Sequence, residues 1–213
     1  TVAADALNTL DGKTTVAINA TDITTLTGTT ANLINAYNSN GITNLGDEAV
    51  TLSDNTLAVA DLNTLDTKTT GQIDASTVQT LNGAATALIT AYNSNGITNL
   101  GNEAVTASGN TSVADANTLA GKTTGVVTAT ITEGAMTALN GLNETGNAYS
   151  IAITDTTVAA DALNTLDGKT TVAIDATDIT TLSGSAADLI NAYNSTSISN
   201  LDDEAVTLSD TTL

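Results

Sequence analysis

The chain has 213 residues, 23 carboxylates against four lysines, a formal charge of −19, and no Cys, His, Pro, Trp or Phe. Without His or Cys, the usual general bases and nucleophile pairs are missing, and so are disulfides and Cys-based zinc sites. The acidic balance argues against nucleic acid and anionic lipid, which demand basic patches. No run approaches the ~18 apolar residues of a membrane-spanning helix.

The first 18 residues, TVAADALNTLDGKTTVAI, return at 157–174, and residues 1–55 match 157–211 at all but ten positions. Within that long period the anchor LNTLDGKTT at 7–15 recurs as LNTLDTKTT at 62–70, ANTLAGKTT at 116–124 and LNTLDGKTT at 163–171. Self-similarity at such spacing is the signature of a repeat array, in which each unit buries its apolar face against its neighbours. The chain divides into repeats 1–55, 56–109, 110–156 and 157–213 and reads as one continuous array over 1–213. Its final SDTTL matches SDNTL at 53–57, where the sequence runs on into AVADLNTL, so an excerpt from a longer protein is expected. Low charge density (13%) and a mean hydropathy of +0.11 argue against disorder.

Taken in chain order, Ala3, Leu7 and Leu10 lie at helical spacing, and Val16-Ala-Ile18 alternates like a strand. Leu26, Leu33, Ile34 and Tyr37 predict a second, longer helix, and Val50-Thr-Leu52 a second strand. Further strands are expected at 72–73, 105–107, 126–129, 149–153, 172–174 and 206–208. Asp54 and Asp155 are placed to cap the helices that follow them, and Thr21 or Asp22 the longer helix. Gly12, Gly28, Gly41, Gly96, Gly121 and Gly168 sit where a helix or turn should stop. One coil per strand gives alternating coils of roughly 33 and 21 residues. The predicted fold is an α/β right-handed solenoid with a parallel strand ladder and short helices, like leucine-rich repeats in geometry. An all-β solenoid is the alternative, because Thr, Val and Ile favour strand.

The segments VAADALNTLDGKTTVAI, DATDITTLSG, AYSIAITD and ANTLAGKTTGVVTATI resemble repeats of very large secreted or cell-surface proteins of marine cyanobacteria and other aquatic bacteria. That group is often labelled haemolysin-type calcium-binding or adhesin-like. The resemblance covers essentially the whole chain and implies an extracellular, structural or adhesive role.

Calcium enters through recurring acids. Asp54, Asp155 and Asp210 follow strands, as do Asp74 and Asp175 with Asn19 at the matching place. Asp47-Glu48, with Asn102-Glu103 and Asp203-Glu204, precede strands. Such hard oxygen ligands on neighbouring coils could converge on Ca²⁺, which takes six to eight oxygens. The G-G-x-G-x-D repeat and the EF-hand loop are absent. The competing reading is that these residues hydrogen-bond the backbone as caps and Asx-turns. Exchange of Asn19 for Asp175 and of Asn102 for Asp47 favours it, since an amide oxygen serves a cap and weakens a metal site. No cofactor is required.

The Asp11-Gly-Lys13 corner, repeated at 167–169, offers an inter-coil ion pair or simply a solvated lysine. Tyr37, Tyr92 and Tyr193 share one helix position, either as an aromatic stripe for sugars or fibre contacts, or as partly buried fillers with the hydroxyl in water. Partners are expected to be further repeats of the same kind, stacked head to tail, with glycans or other cells as the alternative.

Overall fold

The computed structural model describes residues 1–211. Over the described residues it is an α/β protein of seventeen short strands and eight short helices, with strand pairings that are parallel wherever their register is defined. The helices are α1 (Ala4–Asp11), α2 (Thr30–Asn38), α3 (Val59–Asp66), α4 (Ala85–Asn93), α5 (Val113–Ala120), α6 (Met136–Leu139), α7 (Ala160–Asp167) and α8 (Ala186–Asn194). The helical spacing read from VAADALNTL and ANLINAYN is thus realised, and the all-β alternative is excluded. Two compact units divide the chain: Thr1–Val105 with Thr123–Gly125, and Thr106–Lys122 with Val126–Leu213.

In the first unit Val2 pairs with Leu26, Leu26 with Val50, Val50 with Ile73, and Ile73 with Ile97. Ile18 pairs with Ile42 and Leu57 with Leu81. In the second unit Val158 pairs with Leu182, Leu182 with Val206, and Ile174 with Ile198. Ala129 pairs with Tyr149. The chain therefore advances by 24 residues per strand pairing at most positions, as bonds from one helix to the next also record. The expected alternation of 33 and 21 residues is corrected by this register. Its cause is that strands at Val2–Ala3, Thr25–Gly28, Ile42–Thr43, Thr56–Ala58, Thr80–Ala84, Ile97–Thr98, Thr157–Ala159, Thr181–Gly184 and Ile198–Ser199 carry too few inward residues to alternate visibly.

Each 55-residue repeat holds two such advances plus a short extra step. Val50 completes the column Val2, Leu26, Val50, which lies before the helices, and also pairs with Ile73, which lies after α3. The segment Ser53–Thr56 then carries the chain across to Leu57, which opens a new pre-helical column with Leu81. The column that precedes the helices in one repeat follows them in the next.

The core is aliphatic apart from Tyr149. Leu7, Leu62 and Leu163 occupy one helix position, with Leu26, Leu81 and Leu182 beneath them, and all are buried. Helices of eight residues are marginal alone in water. Packing of their Leu and Ala faces across the period supplies what length cannot. Val16 was expected to share the inward face of Ile18, but it lies outside the strand and is exposed, as are Val126 and Val172.

The stops expected at Gly12, Gly121 and Gly168 are where three helices end. Helices α1, α5 and α7 end at Gly12, Gly121 and Gly168 in right-handed conformation, and Thr67 does the same for α3. Glycine is therefore not needed there for a left-handed cap. The non-glycine residues in left-handed conformation are Asn44, Asn99 and Asn200. Gly28, at φ 150°, lies against the Ala4 Cβ, which leaves little space for a side chain.

Candidate functional site: the bonds that recur with the repeat

The most strongly recurring chemistry lies between one 24-residue advance and the next. Asn8, Asn63, Asn117 and Asn164, the Asn of each LNTL or ANTL anchor, donate Nδ2 to the carbonyls of Asn32, Ala87, Gly141 and Asp188. The four bonds are 2.7–2.9 Å long and each spans 24 residues. Each anchor therefore grips the helical layer that follows it.

The carboxylates named as calcium ligands fall into three groups. Asp54 accepts the Thr30 N–H at 2.7 Å and the Thr30 hydroxyl at 2.9 Å. Asp155 accepts the Met136 N–H and Asp210 the Ala186 N–H, both at 2.6 Å. Glu133 does the same for Val113 at 3.0 Å. These acids satisfy the first free donors of α2, α6, α8 and α5, where the helix dipole also favours negative charge. They are caps, but not of the helices expected. Asp54 and Asp155 reach back to the preceding helix, while the N-cap residues of α3 and α7, Ala58 and Ala159, provide no side-chain cap. The local cap of α2 is Thr29, not Thr21 or Asp22.

The second group is Asp74 and Asp175, with Asn19 at the matching position. Asp74 Oδ1 accepts from Asn99 Nδ2 at 2.8 Å and from the Ser76 N–H at 3.0 Å. Asp175 Oδ1 accepts from the Thr177 hydroxyl, Asn200 Nδ2 and the Thr177 N–H. Asn19 Oδ1 takes the same three kinds of donor from Thr21 and Asn44. An oxygen is what the position uses, as the Asn-for-Asp exchange implied. The bond from Asn99 holds the Asp74 carboxyl below the ordinary carboxylate range, and that from Thr177, then Asn200, does so for Asp175.

The third group is Glu48, Glu103 and Glu204, all buried. Glu48 accepts the Tyr37 hydroxyl at 3.1 Å and the Gly46 N–H at 2.9 Å. Glu103 accepts the Tyr92 hydroxyl and the Gly101 N–H. Glu204 accepts the Tyr193 hydroxyl at 3.2 Å, while its other oxygen is buried without a partner. The tyrosine hydroxyls thus face carboxylates rather than water, and burial, reinforced by those carboxylates, raises the pKa of Tyr37, Tyr92 and Tyr193. Tyr149 is pushed up to about 12 by burial and the charge of Glu144. Asp47 and Asp203 are exposed beside these pairs. Among the described residues no three His, Cys, Asp or Glu side chains are grouped so as to hold a metal ion.

A seam threonine completes the pattern, and sequence reasoning passed over it. Thr69 donates its hydroxyl to the Glu48 carbonyl at 2.8 Å and Thr123 to the Glu103 carbonyl at 2.7 Å. Thr170 donates to the Tyr149 carbonyl at 2.7 Å. All three are the first Thr of the anchor's KTT, a constancy visible in the sequence. Lys169 Nζ of that motif donates to the Asn143 carbonyl. Asp11, Asp66 and Asp167 do not pair with the neighbouring lysines through these bonds; each accepts the hydroxyl of Ser39, Ser94 or Ser195, 28 residues later.

No helix among the described residues is long and apolar enough to cross a membrane. No protein-family model, curated protein or solved structure matches the chain.

Proposed function

We propose that this chain is a structural repeat region of an extracellular or cell-surface protein, a right-handed α/β solenoid acting as a stiff fibre, filament or adhesin stalk. It is not an enzyme in this reading, and its partners are further repeats of its own kind. The observation that carries the reading is the recurrence of one bond set, Asn8 to Asn32, Asn63 to Ala87, Asn117 to Gly141 and Asn164 to Asp188, at one 24-residue spacing. A catalytic centre is singular; these constellations recur with the repeat and are consumed in holding successive 24-residue advances together, as Thr69, Thr123 and Thr170 are in holding one repeat to the next. Stability then sums over nearest-neighbour interfaces, which suits a rod under load. The acidic surface keeps such rods apart in solution. The resemblance to repeats of giant aquatic-bacterial surface proteins points the same way.

Small-angle scattering from the purified chain, with calcium and with a chelator, tests this. An elongated particle with one melting midpoint in both conditions is expected. A compact particle would end the rod reading. Loosening on chelation would instead make the chain a calcium-set adhesive module.

A further inference from the structure

The position two residues after the seam threonine is Val16, Gly71, Gly125 and Val172 in the four repeats. At all four the backbone turns alike, because its N–H bonds to the hydroxyl of that threonine at 3.0–3.1 Å. What lies opposite is not alike. A Cβ on Gly71 would stand 2.2 Å from the Glu48 carbonyl oxygen and 2.4 Å from its carbon. On Gly125 it would stand 2.3 Å from the Glu103 carbonyl oxygen. These are backbone atoms, so no rotamer change relieves the overlap. Val172 instead follows a repeat that ends in Asn147-Ala-Tyr149, and there the seam is built differently. Thr170 Oγ1 both donates to the Tyr149 carbonyl and accepts the Tyr149 N–H, and the valine side chain stays partly exposed.

We propose that this position determines which repeat can stack on which: a repeat ending in the Tyr–Glu pair accepts only a follower with glycine there, whereas a repeat ending in Tyr149 accepts valine. The inference rests on the stacking role proposed above and names its specificity.

The test is thermal melts of the full chain, with hydrogen exchange read at the seams. Gly71→Val and Gly125→Val should each lower the melting midpoint by several degrees and open the seam at Glu48 or Glu103, while Val172→Gly should melt close to wild type. A Gly71→Val chain as stable as wild type, or a Val172→Gly chain that loses as much as Gly71→Val, would each overturn the inference. The rod reading is tested on the scattering of the wild-type chain, so the two fail separately.

Discussion

Asp54 caps Thr30 across 24 residues, binding both its N–H and its hydroxyl. A helix whose only local cap is Thr29, at 3.3 Å from the Asn32 N–H, thus takes its main anion from the next stretch of chain. Asp54→Ala should cost about 1 kcal/mol, with part recovered in Asp54→Asn, which keeps an oxygen but loses the charge–dipole attraction. Urea melts of the two variants measure this. Equal losses would show that charge and not geometry dominates.

Tyr37 and Tyr193 make the same bond in different surroundings. Tyr37→Phe leaves the Glu48 carboxylate buried with only the Gly46 N–H and should cost ~1–3 kcal/mol. Tyr193 is 40% exposed, so water reaches the hydroxyl's place more easily and Tyr193→Phe should cost less than Tyr37→Phe. Spectrophotometric titration should also show Tyr37 and Tyr92 still protonated above the ordinary tyrosine pKa of ~10, because burial and the facing carboxylates penalise the phenolate.

The acid limb of stability should include Asp74 and Asp175. Their folded pKa values lie below the unfolded ones. Each therefore contributes stability that is fully present above the unfolded carboxylate pKa of ~3.9 and is lost as pH falls through the lower folded value. Asp74→Asn and Asp175→Asn should flatten that limb of the urea midpoint between neutral and acid pH. Asn19 is the natural form of the same change. An unchanged slope in the double variant would refute the assignment.

Leu10 and Leu65 hold one helix position yet differ completely in burial, at 51% and 0% exposed. Leu65→Ala should cost ~2–5 kcal/mol, the range for a truncation inside a packed core, and Leu10→Ala far less. Ile174→Asp would place an unpaired charge at a fully buried site and should unfold its repeat, by several kcal/mol. Hydrogen exchange would localise the loss to the neighbouring repeats, as nearest-neighbour coupling requires.

Legibility in the sequence followed the number of inward residues per element. The strand Val127–Ile131 alternates buried and exposed over five residues and was readable. Ile42–Thr43 and Ile97–Thr98 carry one inward residue each, and a single isoleucine has no period. Losing those strands lost the 24-residue advance. The acids were recognised as caps or ligands, but a chain of letters does not say that Asp54 belongs to the helix before it.

The repeated anchors, the helical spacing of VAADALNTL and ANLINAYN and the aliphatic, cysteine-free core were determined by sequence alone, because they rest on local periodicity and composition. Partner choice was decided only by the tertiary structure. Asp54 meets Thr30 and Gly71 meets the Glu48 carbonyl because parallel pairing sets residues about 24 positions apart side by side, a distance over which local pattern carries no information.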